Sequence, residues 1–341
     1  MTGRRLYLDR SPGEARGVAT LDGRPERLWT ERQGEPAFPR LGERHRARVE
    51  ELSPGLGLAR LALAGGIEAA LPLSRQAPPH RGAILEVEIA AEPRAGKAAT
   101  ARLIGPSAGT PERLRAAPDL ETRLRAMAPE APIETGEEAR EAADEAEEAA
   151  LALVHALPGG VTLHIEPTRA LTAVDVDWSG PPRASAAAAM RTNQLALAET
   201  ARLLRLKSIG GAVVIDLVGF PRDRDQVSAA ARAAFAADEP GVAVLPVNRF
   251  GLLHLVKPHR ERPLALALCA EDGRLSALSV ALRLARALER QGRADPGARL
   301  LAECAPAVAA AMQPLLPVMG PRFLVREVLG WDRLKTDIRI P

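Results

Sequence analysis

The stretches LTAVDVDWSG, residues 171–180, and GGAVVIDLVGF, residues 210–220, decide how this chain reads. Each is a short apolar run ending in acid: Asp175 and Asp177 in the first, Asp216 in the second. Side chains at i and i+2 of a strand leave the same face. Asp175 and Asp177 therefore point together, with backbones roughly 7 Å apart at ~3.3 Å per residue. AVVID is β-branched and apolar, as in a central strand buried on both faces, and it should place Asp216 beside the other two. An isolated buried carboxylate is costly unless it is paired or binds a cation. Three of them at the carboxyl ends of neighbouring strands, a common ligand position in α/β sheets, point to a divalent metal site. Mg²⁺ suits it, because this ion takes oxygen ligands and combines one or two carboxylates with water and phosphate. Read alone, the same aspartates also fit turn or capping positions.

Working outward, LPGGVTLHIEP reads as a turn and a strand, with TRALTAVDVD as its antiparallel return. NQLALAETARLLRLK (193–207) reads as a helix with an apolar stripe through Leu197, Ala201, Leu204 and Ile209, stopped by Gly210 and Gly211. A further helix is expected near 225–237, then a strand at GVAVLPV. Strand and helix alternate, so 161–270 reads as a layered α/β unit. Upstream, residues 106–157 hold two helical stretches, PERLRAAPDLETRLRAM and GEEAREAADEAEEAALALVHAL, the second with an acidic face read as solvated surface. RARVEEL, LGLARLALA, IEAALPL and AILEVEIAAE are short strand-like runs that suggest a small closed barrel of the OB type. Residues 1–32 read as a strand meander, GEPAFPRLG as a linker, and 275–291 as a helix in the tail.

With 341 residues, 46% hydrophobic and 26% charged, the chain has the composition of a soluble globular protein of two or three domains. Its apolar runs fall short of a membrane span of ~20 residues. No apolar signal core follows the N-terminus, so a cytoplasmic location is expected. Cys269 and Cys304 make neither a disulfide framework nor a zinc ribbon. The six histidines have no metal-ligand spacing, and no phosphate loop or nucleophile elbow occurs. Net charge is +3 but uneven: residues 1–105 carry 17 basic and 13 acidic groups, 106–160 carry 5 and 12, and 161–341 carry 24 and 18. Basic ends around an acidic middle allow a polyanion partner.

LPGGVTLHIEPTRALTAVDVD, TNQLALAETARLLRLKSIGGAVVID and NRFGLLHL, in this order and spacing over about 90 residues, resemble the ribonuclease E/G family. That family's segments read LPSGG…I…TEAL…IDVN, TNLEAA.EIARQLRLRDLGG.IVIDF and SRFGLLEM. The N-terminal and barrel stretches match more loosely. The resemblance implies an α+β and α/β multidomain chain, in which an OB-type barrel is inserted in an RNase H-like scaffold and a DNase I-like catalytic subdomain follows. The corresponding partition is 1–36 with 106–160 as a reduced scaffold, 37–105 as the barrel, 161–275 as the catalytic unit and 276–341 as a small C-terminal domain. It also implies a Mg²⁺-dependent endoribonuclease, with Mn²⁺ as a substitute, cutting single-stranded RNA to 5′-phosphate and 3′-hydroxyl ends in RNA processing or decay. Asp175 and Asp216 match the family's metal-binding aspartates, and Asp177 stands where the family usually has Asn. Lys97, Arg60, Arg205, Lys207, Arg249 and Asn193 are the implied RNA contacts, although Asn193 also suits a helix cap.

Three departures accompany the resemblance. The barrel's two base-stacking aromatics are replaced by Arg60 and Ala70. The stretch between Leu103 and LPGG is too short for the family's 5′-monophosphate sensor, so no preference for 5′-monophosphorylated RNA is expected. Of the family's CPxC zinc link only Cys269 remains, with Asp272 in the second position. No structural zinc is expected, no zinc-linked dimer, and a monomer by default. The alternative is a catalytically weak or inactive RNA-binding relative; a phosphodiesterase for another nucleic acid ranks third.

Overall fold

A computed structural model describes residues 3–74, 78–94, 96–181, 185–219, 223–238 and 241–341. The N-terminal meander is present: β1 (Arg4–Ser11), β2 (Glu14–Leu21) and β3 (Arg24–Arg32) are antiparallel neighbours. The β2–β3 turn uses Asp22 and Gly23 at φ of 52° and 75°, the left-handed pair that a tight hairpin turn needs.

The barrel follows. It is built from β4 (Arg44–Ser53), β5 (Leu58–Ala62), β6 (Glu68–Pro72), β7 (Ile84–Ala91) and β8 (Ala99–Pro106). These five close in the order β4-β5-β6-β8-β7 and back to β4, a closed barrel consistent with the OB type. Every second residue of β7 is buried, and small side chains such as Ala47, Ala59, Ala69, Ala99 and Ala101 fill the interior. PERLR is not helical. Glu112–Arg115 is a strand, β9, paired with β4, and helix α1 (Leu120–Met127) begins only after Asp119, whose carboxylate accepts from the Thr122 N–H at 2.8 Å.

The chain then returns to the first sheet, where β10 (Ile133–Glu134) pairs parallel with β1. α1 covers one face of that sheet through Leu120 and Leu124 against Leu6, Leu8, Ala19 and Trp29. Helix α2 (Glu137–Leu151) lies against the other face with an alanine stripe, Ala139, Ala143, Ala146 and Ala150. The small alanine side chains allow close packing between two sheets. VHAL, expected to end a helix, instead forms the edge strand β11 (Val154–Leu157).

The second sheet comprises β11, β12 (Val161–Pro167), β13 (Thr172–Trp178), β14 (Gly211–Asp216), β15 (Ala243–Val244) and β16 (Leu252–Lys257), in the order β11-β12-β13-β14-β16-β15. GVAVLPV thus contributes only a two-residue edge strand. Helix α3 (Ala186–Leu206) starts seven residues earlier than expected, capped by Ser185 on the Ala188 N–H at 3.2 Å. With α2 and α4 (Arg224–Ala234) it joins this sheet to the first in one apolar core.

After the short α5 (Leu264–Leu268), helix α6 (Ala277–Ala294) packs with β17 (Leu300–Cys304), α7 (Pro306–Met312), α8 (Leu316–Met319), β18 (Phe323–Glu327) and β19 (Thr336–Arg339) around a separate core. The acidic face of α2 is not all solvated. Glu147 is buried, and with Asp9 and Glu14 it faces Arg16, Arg32 and Arg286 from β2, β3 and α6. Among the described residues no helix is long and apolar enough to cross a membrane.

Candidate functional site

Among the described residues, the second sheet is covered on one side only. Leu163, Ile165, Val174, Val176, Val213, Ile215, Leu253 and Leu255 point into the core, and the residues between them face outward. AVVID is therefore central but not buried on both faces: Ala212 is exposed and Val214 only partly covered. Asp175, Asp177 and Asp216 all lie on the uncovered side and are exposed. The expectation of buried carboxylates is corrected, because the alternation of the strands gives the buried apolar row to the α3 side and puts the acids, with Ala212, Val214 and Val256, on the other.

Register does the assembling. Thr168 closes the β12–β13 turn by donating to the Leu171 carbonyl at 2.7 Å and accepting its N–H at 3.3 Å. That turn sets His164 opposite Asp175 and Thr162 opposite Asp177. β14 runs parallel to β13 with Asp216 level with Asp175, and Leu252 of β16 is level with Asp216. One outward row thus reads His164, Asp175, Asp216, Leu252, with Asp177 two residues further along β13.

Desolvation raises the Asp175 carboxyl above its usual value, and the charges of Asp177 and Asp216 raise it further against an opposing pull from His164. A carboxyl raised by folding contributes most below its unfolded value and loses that contribution as pH rises through the folded one. At neutral pH Asp175 is therefore a strained charge that a cation would relieve. His164 Nε2 lies 3.5 Å from Asp177 Oδ2, while among the described residues no lysine or arginine pairs with any of the three aspartates. Nor do the described residues gather three or more His, Cys, Asp or Glu groups into a cluster able to hold a metal by itself. What remains is two level, exposed carboxylates, a set that fits Mg²⁺ completed by water and a phosphate.

The other candidates separate. Arg249 is exposed in the turn before β16, with its guanidinium 4.8 Å from the Phe250 ring centroid. Asn193 is buried inside α3 and is not a cap: its amide accepts the Val218 N–H at 2.9 Å and donates to the Val218 carbonyl at 3.2 Å, which fixes the chain just after Asp216. Arg205 and Lys207 sit on the covered side and are taken up internally. Arg205 pairs with Asp238 at 2.8 Å and Glu26 at 3.1 Å. Lys207 donates to the carbonyls of Ala149, Ala150 and Ala152 at the end of α2, and burial lowers it to about 8. In this structure neither cation belongs to the carboxylate face.

On the barrel, Arg60 is level with Ala70, so the two positions expected to have lost aromatics are direct neighbours. Glu68 at 2.7 Å and Glu51 at 3.1 Å hold the Arg60 guanidinium, which leaves it less free for phosphate. Lys97 is exposed on the β7–β8 loop, where its charge, after burial and Arg94, helps press His259 down to about 4. His259 lies beyond Lys257, the end of β16 away from Leu252, and so is roughly 17 Å or more along the strand from the carboxylate row. The His259 ring fills the space over Gly210 and Gly211, where any Cβ would meet it within about 3 Å. Cys269 opens a small hairpin, Asp272 is bound by Arg333 at 2.6 Å, and Cys304 is buried in the C-terminal core.

Two groups at the site escaped sequence reasoning. His164 was findable from the hairpin register but not from histidine spacing. Phe250 sat inside the NRFG stretch, yet exposure cannot be read from residue type. Trp178 closes β13 next to Asp177, its Nε1 donating to the Gly159 carbonyl at 3.1 Å.

Residues 114–260 match the model of the ribonuclease E/G family. Ribonuclease E of Haemophilus influenzae is 36% identical over 103 residues, 29% of this chain and 11% of that protein. The Escherichia coli ribonuclease E is 36% identical over 103 residues, 29% of this chain and 10% of its own length. That of Nostoc is 34% identical over 105 residues, 30% and 15%. The matched segment thus spans only about a tenth to a seventh of these relatives' length.

Proposed function

We propose, from the match of residues 114–260 to the ribonuclease E/G family model, that this chain is a divalent-cation-dependent endoribonuclease of that family acting on single-stranded RNA. The reading includes 5′-phosphate and 3′-hydroxyl products, a role in RNA processing or decay, and a monomer in solution. It takes the four-stranded sheet as a reduced RNase H-like scaffold interrupted by the barrel, and the six-stranded sheet as a DNase I-like catalytic unit. The observation that carries it is the level placement of Asp175 and Asp216 on an uncovered sheet face.

In this reading Asp175 and Asp216 hold Mg²⁺, which when bound supplies Lewis-acid polarisation of the phosphate. Asp177, two residues along and beside His164, accepts a hydrogen from the attacking water and orients it. An amide at this position would also donate; an aspartate only accepts. Asn193 keeps the segment after Asp216 in place. Arg249 offsets phosphate charge at the near end of β16, and Lys97 contacts backbone from the barrel's β7–β8 loop.

Retention of the acids bears on the non-catalytic alternative. Desolvation and the charges of Asp177 and Asp216 raise the Asp175 carboxyl, so a neutral residue would fit there at lower electrostatic cost in an inactive protein.

The deciding experiment follows cleavage of a fluorescent AU-rich single strand with Mg²⁺ in the natural chain and in Asp216→Asn. A fall in cleavage of at least roughly a hundredfold with binding retained supports the reading. Binding with no cleavage in either protein selects the RNA-binding alternative. Substrates with 5′-triphosphate and 5′-monophosphate ends should be cut equally.

A further inference from the structure

We propose that Phe250, backed by Arg249, is the base-stacking platform of the substrate path and takes one unpaired base of a single-stranded RNA beside the carboxylate row. The proposal rests on the reading above and adds a recognition residue to it.

Aromatic rings are scarce in this chain, with 5 Phe, 3 Trp and 1 Tyr, and none lies between Phe38 and Trp178. All five barrel strands fall in that gap, so they offer no Phe, Tyr or Trp ring to a base. Among the described residues the one Phe, Tyr or Trp that is exposed is Phe250, at 68%. A phenyl ring left in water gains nothing for the fold, since aromatic side chains stabilise by burial.

The exposure is built, not incidental to a loose loop. The Asn248 side-chain oxygen accepts the Phe250 N–H at 2.8 Å and the Leu252 N–H at 3.1 Å. The backbone closes the same turn, the Asn248 N–H donating to the Leu252 carbonyl and the Gly251 N–H to the Asn248 carbonyl, with Gly251 at a φ of 87°. Nothing in that bonding requires an aromatic at position 250.

Position and charge complete the case. Leu252 is level with Asp216, so the Phe250 backbone lies within roughly 12 Å of the Asp216 backbone by strand spacing. That is a reach of a few nucleotides. Arg249, 4.8 Å from the ring centroid, sets a cation beside the stacking surface, so one turn offers both a base contact and a phosphate contact. Stacking tolerates any base, which suits a single strand better than a structured helix.

The test uses the full chain carrying Asp216→Asn, which prevents turnover, and short fluorescent single strands each with one abasic nucleotide at a successive position. Phe250→Ala should weaken binding by roughly tenfold. Phe250→Leu, apolar but not aromatic, should lose as much, and Phe250→Trp should bind at least as well as Phe. With Phe250 present, one abasic position should lose affinity by a similar factor, and that sensitivity should vanish in Phe250→Ala. Unchanged affinity and abasic profile in Phe250→Ala overturn the proposal, as does full affinity in Phe250→Leu. If the natural chain cleaves RNA while Phe250→Ala is neutral, only this proposal falls. If the chain with Phe250 intact binds no single strand, the endoribonuclease reading falls with it.

Discussion

Asp175, Asp177 and Asp216 differ from Arg205 and Lys207 in which side of one sheet they face. The i, i+2 relation of the first two acids was legible from the strand pattern, and so was the pairing of Asp216 with them. Their exposure was not, because a run such as VVI looks the same whether one face or both are covered, and only the arrangement of α2, α3 and α4 decides. The same ambiguity misplaced the two cations, which a linear motif places near the acids and the fold places behind the sheet. Arg205 is enclosed with Asp238 and Glu26, and removing one partner of a buried ion pair typically costs about 3–5 kcal/mol. Arg205→Ala should lower unfolding stability by about that amount in urea titrations, while RNA affinity of the folded protein is unchanged. A normal urea midpoint with weakened RNA binding would return Arg205 to the substrate path.

At the scale of elements, the β12–β13 hairpin, the barrel strands and the end of α3 were readable from turn residues and alternation. The start of α3 was not: the alanines from Ala186 onward extend the helix without an apolar stripe strong enough to signal it. β9 was hidden because ERLR has no strand pattern of its own; it is a strand only because the barrel's β4 offers an unpaired edge. The joint between α3 and the end of β14 matters most for the site. Asn193 satisfies both backbone groups of Val218, a local clamp that no capping rule would suggest. Asn193→Ala should leave RNA binding intact, lower kcat, and speed hydrogen exchange at the Val218 amide. Stability should fall by about 1–3 kcal/mol, the cost of stranding buried polar groups. An unaltered exchange rate at Val218 would remove Asn193 from any positioning role.

Across the whole molecule, distant segments are joined by charge as well as by apolar contact. Glu147 of α2 meets Arg16 at 3.2 Å, Arg286 at 3.1 Å and Arg283 at 2.7 Å, tying the first sheet to the C-terminal helix α6. Burial pushes the Glu147 carboxyl up, but those guanidinium groups more than reverse this and leave it below its ordinary value. A depressed carboxyl stabilises above its unfolded value and loses that contribution as pH falls through the folded one. Glu147→Gln should therefore cost about 3 kcal/mol near neutrality and flatten the loss of stability on acidification below about 4.5. Equal acid sensitivity in both proteins would count against this role. None of these long-range pairs was visible in the sequence, where Glu147 is one of many acids on a helix and its partners lie more than a hundred residues away. The barrel is held in a similar way: the buried Glu92 carboxylate accepts the N–H of Leu41 at 3.1 Å and of Arg262 at 2.9 Å, one from the entering linker and one from beyond the second sheet.

The poverty in aromatic rings makes Trp178 an optical reporter supplied by the chain itself. Its indole ends the strand that carries Asp175 and Asp177, whereas Trp29 and Trp331 sit in other cores. Ultraviolet emission recorded while a divalent ion or an oligonucleotide is titrated in would follow occupancy of the acidic row without any dye or label, and the same signal lost in a Trp178→Phe protein would identify its source.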